Sequence, residues 1–247
     1  MPQVSLLFHD VYVAERRESG FTSLAADRYK LSVREFEEQL AGLTGEGVPT
    51  PRLTFDDGGA SFYTIVADKL ETRGIHAACF VTTGYIGRPG FLSVAQIREL
   101  DSRGHVIGSH SATHPFRFNL LSRDAMRHEW TASRQALEDI VGHAVISGSV
   151  PGGYFSRDVG RVAAESGIQL LFNSEPVRSA YEIDGCTIAG RFAIRGGAAP
   201  DFSQRLVQRA PWTRSLEWAS WNAKSLVKPL LGWSYPLVAD WIHGGAR

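Results

Sequence analysis

The sequence predicts an α/β protein with a distorted (β/α)7-type barrel in a single domain. Short apolar segments alternate with segments of helical periodicity along most of the chain, which is typical of a sheet with helices on its outside. No linker, internal repeat or low-complexity stretch interrupts this series. About seven strands in one uninterrupted series favour a closed or nearly closed barrel over an open sheet. A chain of 247 residues is long enough for one such barrel.

The predicted strands are short runs rich in apolar and β-branched residues. They cover residues 4–8, 52–55, 76–82, 105–109, 145–150, 169–172 and 187–194. Helices are predicted between them, at residues 65–74, 94–100, 122–141 and 158–165. A further helix begins after Ser32, where Glu35 completes a capping box. Catalytic groups of such barrels lie where strands end, which singles out His9, Asp56, Asp57, His110, Pro151 and Glu175.

The composition excludes several classes of protein. Basic and acidic residues balance at 26 each, which gives no support to nucleic-acid binding. The two cysteines, Cys79 and Cys186, are far apart, so a disulfide framework is excluded. The N-terminus shows no signal-peptide pattern, and no segment contains the roughly 18 apolar residues of a spanning helix. A cytoplasmic location is therefore the default expectation.

Two adjacent carboxylates follow the strand at residues 52–55. Asp56 and Asp57 repel each other at a strand end unless a cation offsets their charge. A divalent metal would let one carboxylate bind the ion while the other, turned the opposite way, accepts a proton from water. The alternative is an ordinary Asp-Asp-Gly turn on the surface.

Two histidines follow the strand at residues 105–109. His110 and His114 are four residues apart, a spacing from which two imidazoles can reach one ion. Chance pairs at this spacing are not rare, because the chain contains 8 histidines. Together with one carboxylate, however, they form a ligand set that leaves metal positions open for water and substrate.

The combination of Thr54-Phe55-Asp56-Asp57-Gly58 with Ser109-His110-Ser111-Ala112-Thr113-His114 resembles the polysaccharide deacetylases. That family includes chitin-oligosaccharide and peptidoglycan deacetylases, and the resemblance covers roughly residues 4 to 195 in element order. It implies a distorted (β/α) barrel with Asp56 as the catalytic base. It also implies that Asp57, His110 and His114 bind a divalent metal, for which zinc is the first candidate and nickel or cobalt are alternatives.

The third and fourth motifs of the family are altered in this chain. The third is usually Arg-Pro-Pro-Tyr, whose Arg orients the base, whereas residues 149–154 read Ser-Val-Pro-Gly-Gly-Tyr. An exposed N–H at Gly153 or Tyr154 could stabilise an oxyanion, and the alternative is a simple Pro-Gly turn. In place of the tryptophan-containing fourth motif stands Asn-Ser-Glu-Pro. Its Glu175 either is an orienting acid or merely ends a strand.

The fifth motif of the family, Leu-x-Leu-His, is absent. Its His protonates the leaving amine, and residues 188–192 contain no His. The first and last strands of a closed barrel are neighbours, so His9 is expected to take this place as the general acid, as in relatives that look permuted. A structural His bonded to a neighbouring loop is the alternative. Arg191 is a candidate for the missing guanidinium near Asp56.

Residues 201–247 are predicted to form a helical, tryptophan-rich extension that packs on a barrel of residues 1–200. One helix face is expected to be core and carries Trp212, Leu216, Ala219, Ala223, Leu226 and Val227. The other face carries aromatic and basic residues, namely Trp218, Trp221, Arg214, Lys224 and Lys228. That second face suits a membrane surface or a partner; alternatively, residues 230–241 fold over it.

These observations predict a metal-dependent hydrolase that removes an acyl group, in the first instance N-acetyl, from an amino sugar. A cytoplasmic member would meet its sugar before export, as a nucleotide- or lipid-linked intermediate. This predicts a role in surface-polysaccharide assembly, such as the O-antigen of lipopolysaccharide, at the inner face of the membrane. One alternative is hydrolysis of another amide, such as a formyl group or a cyclic imide. The other is a catalytically weak carbohydrate-binding protein.

Overall fold

The computed structural model describes residues 3–45, 47–208 and 211–231. This part of the chain contains eleven strands: β1 (Ser5–Phe8), β2 (Val11–Tyr12), β3 (Leu31–Ser32), β4 (Arg52–Phe55), β5 (Ala78–Val81), β6 (Val106–Ser109), β7 (Ser147–Ser149), β8 (Leu170–Phe172), β9 (Ala180–Ile183), β10 (Cys186–Ala189) and β11 (Phe192–Ala193). It also contains eight α-helices: α1 (Leu24–Asp27), α2 (Val33–Leu40), α3 (Ala67–Glu71), α4 (Val94–Ser102), α5 (Arg123–Val141), α6 (Arg157–Glu165), α7 (Phe202–Val207) and α8 (Pro211–Leu231).

Nine of these strands form one curled sheet in the order β11-β1-β4-β5-β6-β7-β8-β10-β9. Neighbouring strands are parallel except β9, which runs antiparallel to β10. Helices connect the parallel strands, and the sheet curls into a half-barrel with β11 and β9 at its two edges. The predicted single-domain α/β barrel is confirmed.

The predicted last strand, residues 187–194, is divided in two. β10 pairs with β8, whereas β11 pairs with β1 at the far side of the sheet. Gly190 lies between them, and a Cβ at this position would meet the carbonyl oxygen of Glu175 at 2.3 Å. The crossing therefore needs a residue without a side chain, and the next residue along the chain is Arg191.

Serine caps fix the starting points of the outer helices. Ser32 Oγ accepts a hydrogen bond from the Glu35 N–H at 3.2 Å, and the Glu35 carboxylate accepts one from the Ser32 N–H at 2.7 Å. The predicted capping box of α2 is thus confirmed. Ser93, Ser122 and Ser156 cap α4, α5 and α6 through their hydroxyl groups. Each of these three serines lies at the end of a loop that follows a strand, so the caps fix where the loops beside the strand ends stop.

The interior of the barrel is small and contains a charge. A cluster of buried residues inside it consists of Ala78, Phe80, Phe172 and Ala189. The guanidinium of Arg191 lies over the rings of Phe80 and Phe172, at 5.8 and 5.5 Å from their centroids. This side chain is fully buried, and a buried cation requires a counter-charge. Its counter-charge is the carboxylate of Asp56, which follows β4.

The predicted core face of the C-terminal helix is wrong at the residues that the structure describes. Trp212 and Leu216 on that face are 79% and 69% exposed. Trp218 instead lines a cavity of about 430 Å³ beside the barrel, and Arg214 donates a hydrogen bond to the carbonyl oxygen of Leu206 at 2.7 Å. Helical periodicity separates two faces of a helix, but it does not say which one meets the rest of the protein.

Part of the sequence analysis of the C-terminal segment lies outside the described residues. This applies to residues 232–241 and to the side chains of Ala223, Lys224, Leu226, Val227 and Lys228. Among the described helices, none is both long enough and apolar enough to span a membrane. The division of the chain at residue 200 stays a prediction.

Candidate active site

The chain reverses direction directly after β4. Asp57 has a φ of 78° and Gly58 a φ of 79°, so two successive residues adopt the left-handed conformation. The reversal sends the adjacent carboxylates to different partners, as the sequence analysis expected. Asp57 turns toward the histidines that follow β6, and Asp56 turns toward Arg191.

The loop after β6 carries His110 and His114 on an unusual backbone. Ser111 has a φ of 66° and His114 a φ of 57°; such conformations cost a non-glycine residue roughly 1–3 kcal/mol each unless the surroundings impose them. Serine hydroxyl groups supply part of that support. The Ser111 N–H donates to Ser109 Oγ at 3.2 Å, and the His114 N–H donates to Ser111 Oγ at 3.1 Å.

A buried glutamate on α5 supports the rest of this loop. The carboxylate of Glu129 accepts hydrogen bonds from the N–H groups of Ala112 and Thr113 at 2.9 and 2.8 Å, and from the Thr113 hydroxyl at 2.7 Å. One helical turn later, Ser133 accepts from the Ser109 hydroxyl at 2.8 Å. Every backbone N–H from residue 111 to 114 therefore donates to a side-chain oxygen. The loop is held in one conformation from α5.

Asp57, His110 and His114 point their donor atoms at one place. Asp57 Oδ1 lies 3.3 Å from His110 Nε2 and 3.6 Å from His114 Nε2, and all three donor atoms lie within 4.8 Å of one another. His110 Nδ1 lies 2.9 Å from the carbonyl oxygen of Ser149, which requires a proton on Nδ1 and leaves Nε2 as the ring atom that can bind a metal. One carboxylate and two imidazoles in this arrangement fit a divalent metal such as zinc.

The charges of this cluster shift the pKa values of its members. Burial alone would raise the pKa of Asp57, but the hydrogen bond from protonated His110 and the charge of His9 hold it well below its usual value. Burial lowers the pKa of His110, but the charges of Asp56 and Asp57 more than offset this and raise it, so a metal ion would have to displace the proton on Nε2. Burial and the neighbouring His110 lower the pKa of His114, which favours the neutral imidazole. An anionic oxygen and a neutral nitrogen are the forms in which these groups bind a metal.

Asp56 is clamped by groups from other strands. Arg191 makes a two-point ion pair with it, Nη1 to Oδ1 at 2.7 Å and Nη2 to Oδ2 at 2.8 Å. Ser149 Oγ lies between the two, 2.7 Å from Arg191 Nη2 and 2.9 Å from Asp56 Oδ2. Arg191 also donates to Thr54 Oγ1 and to the carbonyl oxygen of Asn173, at 3.2 and 3.0 Å. All three guanidinium nitrogens of Arg191 therefore have acceptors. The contacts of Arg191 and Ser149 with the Asp56 carboxylate are called the clamp below.

The clamp keeps Asp56 ionised although it is buried. Burial raises the pKa of a carboxyl group, but the charge of Arg191 more than offsets this and lowers the pKa of Asp56 below its usual value. Ser149 begins the segment 149–154, which lacks the orienting Arg that the third motif implies. The guanidinium thus reaches the carboxylate from the β10–β11 crossing instead of from the end of β7. Its orienting role stays a prediction.

His9 lies at the end of β1, half-buried and close to both aspartates. Its charge lowers the pKa of Asp56 and of Asp57. Its ring packs on the ring of Tyr29 with centroids 4.8 Å apart. Its Nδ1 atom is buried and has no hydrogen-bond partner among the described residues, so packing, not a hydrogen bond at Nδ1, holds the ring. Its role as general acid stays a prediction.

The two candidate oxyanion donors lie in a tight turn that follows β7. The Gly153 N–H donates to the Val150 carbonyl oxygen at 3.2 Å, and the Tyr154 N–H donates to the Pro151 carbonyl oxygen at 3.4 Å. Both bonds are long for N–H···O hydrogen bonds. An oxyanion would have to compete with these carbonyl groups for either N–H.

Glu175 contacts the site through its backbone. Its carbonyl oxygen accepts hydrogen bonds from the N–H groups of Arg191 and Val177, both at 2.8 Å. Its carboxylate lies near Tyr181, whose pKa burial and this negative charge raise. In this structure the Glu175 carbonyl group therefore holds the backbone at Arg191, and an orienting role for its carboxylate stays a prediction.

Glu129 was not predicted as a site residue, although the sequence contains a signal for it. α5 is amphipathic, and Met126, Trp130 and Leu137 form its buried face. Glu129 and Ser133 lie on that same face, where a polar residue is unfavourable unless it has a partner or a function. Glu129 finds its partners in the loop that carries His110 and His114, and Ser133 finds its partner in Ser109 just before that loop.

Comparisons with known proteins agree with this architecture. The family model described as polysaccharide deacetylase matches residues 47–171. A chitooligosaccharide deacetylase of Sinorhizobium fredii is 32% identical over 159 residues, which cover 63% of this chain and 72% of that protein. An uncharacterized 30.6 kDa protein of Geobacillus stearothermophilus is 29% identical over 122 residues, or 49% of this chain. The chain spans only 44% of the length of that second relative.

Solved structures share the fold at low sequence identity. The deacetylase PplD of Streptococcus pyogenes, solved in complex with acetate, has a TM-score of 0.70 and 20% identity over 84% of this chain and 98% of its own. A polysaccharide deacetylase of Bacillus cereus has a TM-score of 0.68 and 21% identity over 83% of this chain and 69% of its own. These likenesses concern the course of the backbone.

Proposed function

The chain belongs to the polysaccharide deacetylase family, and on that premise we propose that it is a metal-dependent hydrolase that removes an acyl group, N-acetyl, from an amino sugar. One observation carries the proposal. The donor atoms of Asp57, His110 and His114 converge within 4.8 Å, directly beside a carboxylate that Arg191 keeps ionised. A surface Asp-Asp-Gly turn or a sugar-binding site would need neither feature.

Asp57, His110 and His114 would hold the metal, with zinc as the first candidate and nickel or cobalt as alternatives. The ion would supply Lewis-acid chemistry at the acyl carbonyl and at water. The protein contributes the geometry, because Glu129 and the loop serines fix both histidines before any ion binds.

Asp56 is the proposed base. In the proposed reaction its carboxylate accepts a proton from the water whose oxygen bonds to the acyl carbon. Arg191 and Ser149 keep the carboxylate in one orientation, so that no side-chain reorganisation accompanies proton transfer. The N–H groups of Gly153 and Tyr154 are the proposed donors to the developing oxyanion. Each would give up its long hydrogen bond to a carbonyl oxygen of the turn and donate to the oxyanion instead.

His9 is the proposed acid. When the bond between the acyl carbon and nitrogen breaks, the nitrogen takes a proton from the imidazole and leaves as an amine. The products are acetate and a free amino sugar. Packing on Tyr29 restrains the ring at the end of β1, near both aspartates, which is a suitable place for this transfer.

We also propose the biological setting that the sequence analysis favours. The sugar would be a nucleotide- or lipid-linked intermediate of surface-polysaccharide assembly, such as that of O-antigen, processed next to the membrane. The proposed extension of residues 201–247 offers support, because Trp212 and Leu216 on α8 expose an apolar strip that suits a membrane interface. Co-sedimentation with anionic liposomes at low salt, lost in Trp212→Ser, tests this; no co-sedimentation argues for a fully soluble substrate.

Product analysis tests the activity itself. We expect N-acetyl-chitooligosaccharides to yield acetate and one new amine per acetate. Dialysis against a chelator should abolish release, and zinc, nickel or cobalt should restore it. If formate is released from N-formyl analogues faster than acetate from the N-acetyl sugars, the proposed acyl group is formyl instead of acetyl. Acetate release that survives complete metal removal would overturn the proposed metal dependence.

A further inference from the structure

Arg195 lies at the mouth of the barrel beside His9. β11 runs parallel to β1, with Leu7 paired to Ala193, and the Ile194 N–H donates to the Leu7 carbonyl oxygen at 2.8 Å. His9 and Arg195 stand two residues beyond this pair, just past the ends of β1 and β11. Because side chains alternate between the faces of a sheet, these two residues lie on the same face, at the end where the candidate active site lies.

Tyr29 joins the two side chains. Its ring packs against the ring of His9 with centroids 4.8 Å apart, and the guanidinium of Arg195 lies 5.4 Å from the centroid of the same ring. The backbone behind Arg195 is anchored as well, since the Gly196 N–H donates to the Arg28 carbonyl oxygen at 3.0 Å. The cation is therefore held in place by a cation–π contact and a fixed backbone.

Among the described residues, none supplies a counter-charge to Arg195. Its side chain is half-buried and makes no ion pair or hydrogen bond with any residue that the structure describes. The other buried cations of this region are satisfied: Arg191 is paired with Asp56, and the Lys30 amino group donates to the carbonyl oxygens of Arg16 and Ser19. A half-desolvated, unpaired guanidinium is unfavourable by itself and favours an anion from outside.

We propose that Arg195 binds an anionic substituent of the amino sugar, a phosphate or a carboxylate, close to the nitrogen that loses its acyl group. The inference rests on the proposed function, since it concerns the substrate of the same site. A planar guanidinium binds either anion through two parallel hydrogen bonds. The enzyme should therefore prefer a phosphorylated or uronate amino sugar to a neutral one.

Three small substrates test the inference. They are the methyl glycoside of N-acetylglucosamine, which is neutral, N-acetylglucosamine 1-phosphate and N-acetylglucosaminuronic acid. The quantity measured is kcat/KM for acetate release from each anionic sugar, divided by kcat/KM for the neutral one. We expect this ratio to exceed one for at least one anion and to fall by about 10- to 100-fold in Arg195→Gln, the loss of a charge-assisted contact. Which anion shows the larger fall identifies phosphate or carboxylate as the natural group.

Arg88→Gln is the matched control. Arg88 also stacks on a tyrosine, with its guanidinium 4.5 Å from the Tyr85 ring centroid, whereas Arg195 stacks on the tyrosine that packs against His9. The ratio of kcat/KM values for anionic and neutral sugars in Arg88→Gln should match that of the wild type. An unchanged ratio in Arg195→Gln at an unchanged melting temperature, or an equal fall in Arg88→Gln, would overturn the inference.

Calorimetric titration separates this inference from the proposed function. Suppose that no sugar is deacetylated, so that the proposed function fails. The anion site is still supported if N-acetylglucosamine 1-phosphate binds more tightly than the neutral glycoside and if this difference requires Arg195. Acetate release without any preference for an anion supports the proposed function and overturns the anion site.

Discussion

The two halves of the candidate site are assembled in different ways. The candidate metal ligands come from two short motifs after β4 and β6, with His110 and His114 in one loop. The clamp on Asp56 comes from β4, β7 and the β10–β11 crossing, and its two charged partners are 135 residues apart. The first half depends on local sequence and the second on the topology of the whole sheet. Damage to the first should remove chemistry from an intact fold, whereas damage to the second should cost stability as well.

Asp56→Asn should give the largest effect on turnover, since it removes the proton acceptor and keeps the shape. We expect kcat for acetate release to fall by about 10²- to 10⁴-fold. Asp158→Asn, at an exposed aspartate of α6, is the control and should be neutral. Turnover near that of the wild type would show that another group activates water.

Arg191→Gln should separate the two halves through stability. It leaves the Asp56 carboxylate buried without its cation, a change that costs about 3–5 kcal/mol of unfolding free energy. Arg161→Gln breaks an exposed ion pair with Asp158 and should cost no more than about 1 kcal/mol. Urea unfolding of both variants measures the difference, and equal losses would show that the clamp is no more than a surface pair.

A second substitution refines this test. Ser149→Arg in the Arg191→Gln background places a guanidinium at the position that the third family motif gives it. We expect part of the lost acetate release to return. If Arg191→Gln alone leaves kcat unchanged, the clamp has no part in orienting the base.

His9→Ala should have a smaller and substrate-dependent effect. We expect about a 10²-fold loss of kcat on an N-acetyl sugar, because the amine must be protonated as it leaves. On an activated acetate ester, whose leaving group needs no proton, most of the loss should disappear. Equal losses on both substrates would point to a structural role for His9.

Glu129→Gln should weaken the first half without touching any ligand. The loop that bears the histidines loses an ionic acceptor for two N–H groups, and substitutions behind metal ligands typically weaken binding about 10- to 100-fold. Glu138→Gln is the control on the same helix; its carboxylate accepts from the Val145 N–H at 3.0 Å, away from the loop. Competition with a chelating dye measures both, and similar losses would indicate general weakening of α5.

The local features of the molecule were readable from the sequence, and those set by tertiary contacts were not. The capping box at Ser32, the positions of β1 and of β4 to β8, and the alternation of strands and helices follow from patterns within a few residues, whereas β2, β3 and β9 were not predicted. The break at Gly190 was not predicted, because its cause is the close approach of Glu175, which is distant in sequence. The exposure of Trp212 was also missed, since periodicity gives two faces and packing decides between them.

The same limit applies within the candidate site. Arg191 was only a candidate at the sequence level. The last strand was expected beside the first, as β11 and β1 are, but nothing near Arg191 in the sequence shows that its guanidinium pairs with Asp56. Ser149 was named only as part of a segment that lacks the Arg of the third motif, although its hydroxyl group joins the clamp. Such residues acquire partners only through the sheet order.

The metal content of variant proteins distinguishes the roles of Asp56 and Asp57. Wild type, Asp56→Asn and His110→Ala are dialysed after exposure to zinc, and bound metal is counted per chain alongside circular dichroism. We expect about one ion per chain in the wild type and in Asp56→Asn, almost none in His110→Ala, and the same folded spectrum in all three. Retention of the metal by His110→Ala, or its loss from Asp56→Asn, would contradict the division of labour between the two adjacent aspartates.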